Sequence, residues 1–286
     1  MPDRDSLGTR MKTYSEEVPK FRLYRRTPVA IRIDGKAFHT FTRGFKKPFD
    51  EILIKSMQQT MLYLCENIQG CVLGYTQSDE ITLILQDYKT LTTSAWFDYE
   101  IQKICSVSAS MATMAFNRYF SENIDKYVFE HEDRNWIGEV VGTDDLDKKY
   151  YTNLLNAKEK GAMFDARCFN IPKEEVTNLI YWRQLDAARN SVQMVGQAYF
   201  SHRELQNKSC NDIQDMLMEK YNINWNDFPT TQKRGSCAVR MTVQNPNVDP
   251  KDGAYPRDVW CIDNEIPQFK GEDREYIEKL INFEEE

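Results

Sequence analysis

Residues 70–85 read GCVLGYTQSDEITLIL. Two apolar runs, GCVLGYT (70–76) and ITLIL (81–85), flank one short polar cluster. The runs are rich in β-branched and aromatic residues, and QSDE is long enough only to turn the chain back on itself. This predicts an antiparallel hairpin, and a hairpin this apolar has to lie inside a sheet. Its mouth carries Asp79 and Glu80 side by side. Adjacent carboxylates repel each other and add nothing to a core, so their position calls for a positive partner.

The flanking segments extend the pattern. TPVAIRID (27–34) alternates Val29, Ile31 and Ile33 with Ala30 and Arg32, and ends at an Asp34-Gly35 turn. Residues 49–67 have helical periodicity, as do 96–120, and AMFDARCFNI (162–171) is a further strand that leads into a helix from about Glu174. The order β-α-β-β-α-β is the ferredoxin-like, or split βαβ, pattern: an α+β fold whose four antiparallel strands carry two helices on one face. Residues 5–17 suggest a short leading helix, and the charged stretch 121–160 reads as a loop-rich insertion. A helix over 208–221 and strands at 236–243 and 259–263 follow. The chain therefore reads as a domain over 1–200 and a C-terminal lobe over 201–286.

Composition narrows the classes. Apolar residues make up 41% and aromatic residues 12%, enough for a real core. No apolar run approaches the roughly 20 residues of a membrane span, and the N-terminus is charged, which predicts a soluble cytoplasmic protein with no membrane partner. Seven cysteines include no CxxC pair, and the histidines are only His39, His131 and His202, so zinc-type spacing is missing. The cysteines read as buried free thiols in a reducing compartment. A net charge of −7 weighs against a nucleic-acid partner. Local basic segments weigh the other way: Lys20, Arg22, Arg25 and Arg26, then Arg43, Lys46 and Lys47, then Lys233 and Arg234. Each segment taken alone reads as solvated surface.

The split βαβ order lays the first strand beside the hairpin, bringing Asp34 toward Asp79 and Glu80. Three unpaired carboxylates in one place are unfavourable, and divalent cations remove the penalty. Mg²⁺ suits such a site, since it takes one or two carboxylates plus substrate phosphates. A pair of ions about 4 Å apart activates an attacking hydroxyl and stabilises a leaving phosphate. Strand alternation sends neighbouring side chains to opposite faces. The metal-bridging acids are therefore expected to be Asp34 and Asp79, with Glu80 beside them and the Gly35 carbonyl as a further ligand. On spacing alone, an ordinary Asp-Gly turn and polar hairpin remain the alternative.

RIDGKAFHTF (32–41) and YTQSDEITLIL (75–85), read together, closely resemble segments of the tRNA-His guanylyltransferase family. FDARCFNIPKEEVTNLIYWRQLDAARNS (164–191) and NDFPTTQKRG (226–235) resemble further segments of it, in the same order. The resemblance implies a polymerase-palm catalytic domain that adds nucleotides in the 3′-to-5′ direction. ATP activates the 5′ phosphate of a tRNA by adenylylation, and the 3′-hydroxyl of GTP or another nucleoside triphosphate then attacks. It implies two Mg²⁺ ions and assembly as a homotetramer. At matching positions it implies Asp34, Gly35 and Asp79 as metal ligands, with Glu80 beside them. The implied nucleotide-binding residues are Arg32, Asp34, Gly35, Lys36, Ala37, Phe38, His39, Lys47, Ser78, Asp79 and Asn190. Gly35, Lys36 and Ala37 would offer backbone N–H groups, while for Phe38 a core position is an equal alternative. Lys20, Arg22, Arg25, Arg26, Lys233 and Arg234 are the candidate RNA contacts, and Tyr181 and Trp182 read as core.

One departure matters. The family's His-Ile-Asn-Asn stands here as Ala188, Arg189, Asn190 and Ser191, so only Asn190 is kept. This resembles the guanylyltransferase-like branch, which favours templated addition and repair of truncated tRNA 5′ ends over non-templated G addition to tRNA-His. Strict tRNA-His guanylylation is the alternative. A non-catalytic RNA-binding module is a third reading. The first strand argues against it, offering Ala30 and Arg32 where stacking aromatics belong.

Overall fold

The computed structural model describes residues 6–131, 145–243 and 257–282. In chain order the helices are α1 (Ser6–Met11), α2 (Phe38–Phe41), α3 (Glu51–Asn67), α4 (Ile101–His131), α5 (Asp145–Lys160), α6 (Lys173–Tyr199), α7 (His202–Leu205), α8 (Cys210–Tyr221), α9 (Thr230–Arg234) and α10 (Glu275–Ile281). The strands are β1 (Val29–Gly35), β2 (Cys71–Gln77), β3 (Glu80–Leu85), β4 (Phe164–Asn170), β5 (Ser236–Val243) and β6 (Arg257–Asp263). They form one six-stranded antiparallel sheet in the order β4-β1-β3-β2-β5-β6. The expected β-α-β-β-α-β order is present in its first four strands.

Both faces of the sheet are covered, so β3 is buried along its whole length rather than at alternate residues. On one face Val29, Ile31 and Ile33 of β1 and Ile81, Leu83 and Leu85 of β3 pack on Met57, Met61 and Leu64 of α3 and on Ile104, Ala112 and Phe116 of α4. On the other face Ala30, Leu73, Tyr75 and Ile84 pack on Val176 and Ile180 of α6 and Ile277 and Ile281 of α10. The C-terminal hairpin continues this sheet through β5 on β2. Without it the N–H and C=O groups of β2 would form an unpaired edge.

The stretch 121–160 differs from its loop-rich reading. Helix α4 runs on to His131, and α5 occupies Asp145–Lys160. Its buried residues, Tyr150, Leu154 and Ala157, are spaced along one helical stripe. The charged residues around that narrow stripe dilute the periodic signal. Residues 132–144 of the stretch lie outside the described ones.

An aromatic cluster holds the base of the site. Phe38, Phe41, Phe45, Phe116, Phe120 and Phe164 have neighbouring ring centroids 5.0–5.9 Å apart. Phe38 is therefore a core residue by its side chain. Its ring lies so close over Gly35 that a Cβ there would sit 2.3 Å from Phe38 Cδ2, so only glycine fits after Asp34. Phe116 contacts Phe38, Phe41, Phe120 and Phe164. Phe116→Ala is expected to lower stability by about 3–5 kcal/mol. Urea unfolding measures this, and a loss below about 1 kcal/mol would show that the cluster does not hold the fold together.

Candidate active site

The site is built at the Asp34 end of β1. Asp34 is directly opposite Glu80 on β3 and directly opposite Asp165 on β4. Opposed residues of an antiparallel pair share a face, so these three carboxylates form a row across the sheet. Asp79 lies outside that row. It sits with Ser78 in the two-residue turn between the paired Gln77 and Glu80. Ser78 takes a left-handed conformation, φ 49°, and its hydroxyl donates to the Asp79 carboxylate at 3.0 Å. The Gly35 N–H donates to the Asp79 carbonyl at 3.1 Å, tying the end of β1 to the turn. Because Asp79 is in the turn, strand alternation does not separate it from Asp34. The acid on the same face as Asp34 within β3 is Glu80.

Glu80 does not join the others as an open carboxylate. It is 8% exposed and accepts from Arg183 Nε at 2.7 Å and Arg183 Nη2 at 2.6 Å. Arg32 adds Nε at 3.1 Å and Nη2 at 3.1 Å. Two guanidiniums saturate the carboxylate. The expected convergence of three unpaired acids is thus corrected: α6 delivers a cation that the sequence around residue 80 does not reveal. Arg32, expected at a phosphate, is also held here. Arg183 continues to Asp186 at 3.0 Å, and Asp186 also receives Arg189 and the Asn190 amide, the latter at 3.3 Å.

Asp34 and Asp79 keep no ion pair among the described residues. Burial pushes the Asp34 carboxyl above its ordinary pKa, helped by the charges of Glu80 and Asp165. Burial also raises Asp79; the Ser78 hydroxyl offsets part of this, and the charges of Asp34 and Glu80 add to it. Asp165 is bonded to Arg167 at 3.3 Å. In the sequence its segment reads only as a strand; the signal for its place is the alternation of Asp165 and Arg167 on one face. Among the described residues no group of three or more His, Cys, Asp or Glu side chains is disposed to hold a metal ion. A cation at Asp34 and Asp79 therefore needs further ligands from backbone, water or substrate.

The loop after Asp34 is less open than expected. The Gly35 N–H is used by Asp79 and the Lys36 N–H by the Met163 carbonyl at 2.8 Å. Ala37, left-handed at φ 55°, caps α2, and among the described residues no intrachain acceptor takes its N–H. His39 is exposed on α2.

A cleft opens beside the hairpin tip. Gln77 and Ser78, Phe49 and Asp50, Ala187 with Asn190 and Ser191, and Thr231 to Gly235 line it. It gathers Ser78, Asn190, Lys233 and Arg234, which are scattered in the sequence. Gly235 makes the approach possible: its φ is 83°, and a Cβ would sit 2.3 Å from the Thr76 carbonyl. Burial and the Arg234 charge lower the Lys233 pKa. Lys47 lines an adjoining groove with Lys46, Lys55 and Lys126, and Phe49 borders both hollows.

The other basic segment is elsewhere. Residues 20–26 lie at the Val29 end of β1, roughly 17 Å of strand from Asp34. Lys20 pairs with Glu17 at 2.7 Å, Arg22 with Asp98 at 3.0 Å, and Arg25 with Asp87 and Asp98. Arg26 is exposed, and its backbone N–H donates to Asp87. Nearness in sequence is not nearness to the carboxylates. Tyr181 packs against the core as expected, whereas Trp182 is half-exposed and is not a core residue. Ser191, at the last position of the family's His-Ile-Asn-Asn, is buried and accepts the Trp225 indole N–H at 2.9 Å.

Two outcomes follow. Arg183→Ala leaves Glu80 buried without its main partner and is expected to cost about 3–5 kcal/mol, measured by urea unfolding, with Glu80→Gln in the same chain restoring part of the loss. Asp79→Asn is expected to raise the Tm at neutral pH in the presence of a chelator. The folded-state pKa of Asp79 is raised, so its ionised form disfavours the fold above that pKa, and the penalty fades as pH falls through it. The Tm gap should shrink on acidification; a gap that widens would contradict the electrostatic account.

Comparison with known proteins gives the family. Residues 8–172 match the family model described as tRNAHis guanylyltransferase. A bacterial tRNA(His) guanylyltransferase (Thg1)-like protein, solved in complex with ATP, is 40% identical with a TM-score of 0.75, covering 97% of this chain and 100% of that one. A bacterial structure of the same description in complex with GTP is 37% identical with a TM-score of 0.73, covering 98% and 100%. A probable tRNA(His) guanylyltransferase of Dictyostelium discoideum is 26% identical over 232 residues, 77% of each chain. With the motifs around Asp34 and Asp79 folded into one site, the chain belongs to the tRNA(His) guanylyltransferase family and is a nucleotidyltransferase.

Proposed function

We propose that the protein adds nucleotides to the 5′ end of tRNA in the 3′-to-5′ direction, directed by the opposing strand, on a palm-like sheet. The observation that carries this reading is the pair Asp34 and Asp79. Among the described residues neither forms an ion pair, burial raises the proton affinity of both, and Ser78, next to Asp79, lines a cleft with Lys233 and Arg234. Two carboxylates and a backbone carbonyl at Gly35 fit Mg²⁺, which completes its shell with water and substrate phosphate. Two such ions, when bound, neutralise phosphate charge and ease loss of the proton from an attacking hydroxyl.

The chain's own residues supply position and charge. Asp34 and Asp79 present their oxygens from a strand end and a turn that the Gly35–Asp79 hydrogen bond fixes together. The Ala37 N–H, Ser78, Asn190, Lys47, Lys233 and Arg234 are the contacts for triphosphate and RNA phosphate, where in-line transfer depends on positioning and charge stabilisation. His39, exposed on α2, is a further candidate for a base or phosphate contact. In the first step a tRNA 5′-phosphate oxygen attacks the α-phosphate of ATP and pyrophosphate leaves. In the second, the 3′-hydroxyl of a nucleoside triphosphate attacks the activated 5′ phosphate; AMP leaves and the hydroxyl proton passes to solvent. The ATP and GTP complexes of the bacterial relatives support nucleotide binding here. The departure at Ala188 to Ser191 supports templated addition and 5′-end repair over addition restricted to tRNA-His. The reading includes a cytoplasmic setting and a homotetramer, with residues 201–286 serving the same site as residues 1–200.

The test uses tRNA lacking its 5′ nucleotide, with Mg²⁺, ATP and each labelled nucleoside triphosphate. Extension by the nucleotide complementary to the opposing base is expected. Addition of G whatever the opposing base would replace this reading with strict guanylylation. Asp34→Ala and Asp79→Ala should each lower transfer by at least about 100-fold. Mg²⁺ should raise the Tm of the wild-type chain and leave that of Asp34→Ala unchanged.

A further inference from the structure

Trp182 lies on α6 and is 53% exposed. Single exposed aromatic residues are ordinary, but the surroundings of this one are not. The Arg183 guanidinium carbon lies 4.6 Å from its ring centroid and that of Arg32 lies 5.7 Å away. Cations at these distances are attracted by the face of an indole. Neither arginine is free to swing away, because both are bonded to the buried Glu80. The ring is thus held by the same pair of guanidiniums that the site uses to neutralise Glu80, with half of its surface left in solvent.

Its location has chemical meaning. Arg32 is two residues before Asp34 on β1, so both point to one face of the sheet. Glu80 is directly opposite Asp34 and follows Asp79. Trp182 is therefore one side chain removed from the carboxylate row. On α6 it precedes Arg183, Asp186 and Asn190, whose bonds lead from Glu80 to the cleft. A flat aromatic surface of fixed orientation, beside groups suited to phosphate, matches the base of a nucleotide. Stacking on such a ring tolerates any base, because every base has a π-face.

We propose that Trp182 is a stacking platform for a nucleobase at this site. The base comes either from a bound nucleoside triphosphate or from the 5′-terminal nucleotide of the RNA. The inference rests on the function proposed above and goes beyond it in giving the base, rather than the phosphates, a place.

The experiment compares Trp182→Leu and Trp182→Tyr with the wild-type full-length chain in Mg²⁺. One arm measures Kd for ATP, for GTP and for inorganic tripolyphosphate, which has no base. The other measures Kd for tRNA with an intact or an abasic 5′-terminal nucleotide. In one arm, the ratio of affinities with and without the base should fall roughly 5- to 150-fold in Trp182→Leu and be restored in Trp182→Tyr. The arm that changes identifies the source of the base. A merely structural role would weaken base-containing and base-free ligands alike, leaving the ratio unchanged, and would overturn the inference. So would unchanged ratios in a Trp182→Leu variant of normal affinity. If the wild-type chain binds none of these ligands, the proposed function fails and the inference falls with it.

Discussion

The site depends on the burial of one carboxylate between two guanidiniums. Glu80 lies at the start of β3, Arg32 on β1 and Arg183 on α6. Burying a charge is costly unless it is paired and hydrogen-bonded. Removing Glu80 leaves two guanidiniums without their shared carboxylate, and removing Arg183 leaves the buried carboxylate with Arg32 alone. This triad locks β1, β3 and α6 in register at the place where the chemistry is built. It also separates the adjacent acids of the hairpin. Glu80 is neutralised and becomes structural, while Asp79, one residue earlier and in the turn, stays uncompensated.

That division of labour explains how a chain of net charge −7 presents a site for polyanionic ligands. Among the described residues two carboxylates remain without an ion-pair partner, and both resist ionisation because of burial and neighbouring charge. The proposed Mg²⁺ would relieve both. The basic residues around the cleft come from separate parts of the chain, so no basic run announces them. Bulk charge here describes solubility, and the local arrangement determines which ligand can approach.

The central strands, the hairpin and the pairing of Asp34 with its neighbours were legible because strand alternation and a two-residue turn are local signals. Asp34 and Asp79 could be singled out because an acid at a strand end has no structural use. The partner of Glu80 could not, since Arg183 lies 103 residues further on and reaches it only through the packing of α6. Asp165 was hidden for a similar reason: its role arises from register with Asp34, and register is a property of the sheet. For the segment 20–26 the sequence overstates nearness to the carboxylates. It adjoins β1 in sequence, but an extended strand carries the chain away from it at about 3.3 Å per residue. Helix α5 was obscured by its charged residues, and Trp182 by an assumption that large aromatic residues of a helix face the core.

The pairing of β5 with β2 also has a consequence in time. The wall of the cleft that carries Lys233 and Arg234 is delivered by the last third of the chain, while Asp34 and Asp79 belong to its first third. A ribosome-bound chain that has emerged only through α6 already holds both carboxylates and Arg183. It lacks the residues that close the other side, and β2 is still an open edge. Contacts so distant in sequence form late, because chain entropy opposes them until the intervening segments are in place. Formation of the cleft is thereby tied to synthesis of α9 and β5, and a chain terminated before them carries the acids of the site without the groove beside them.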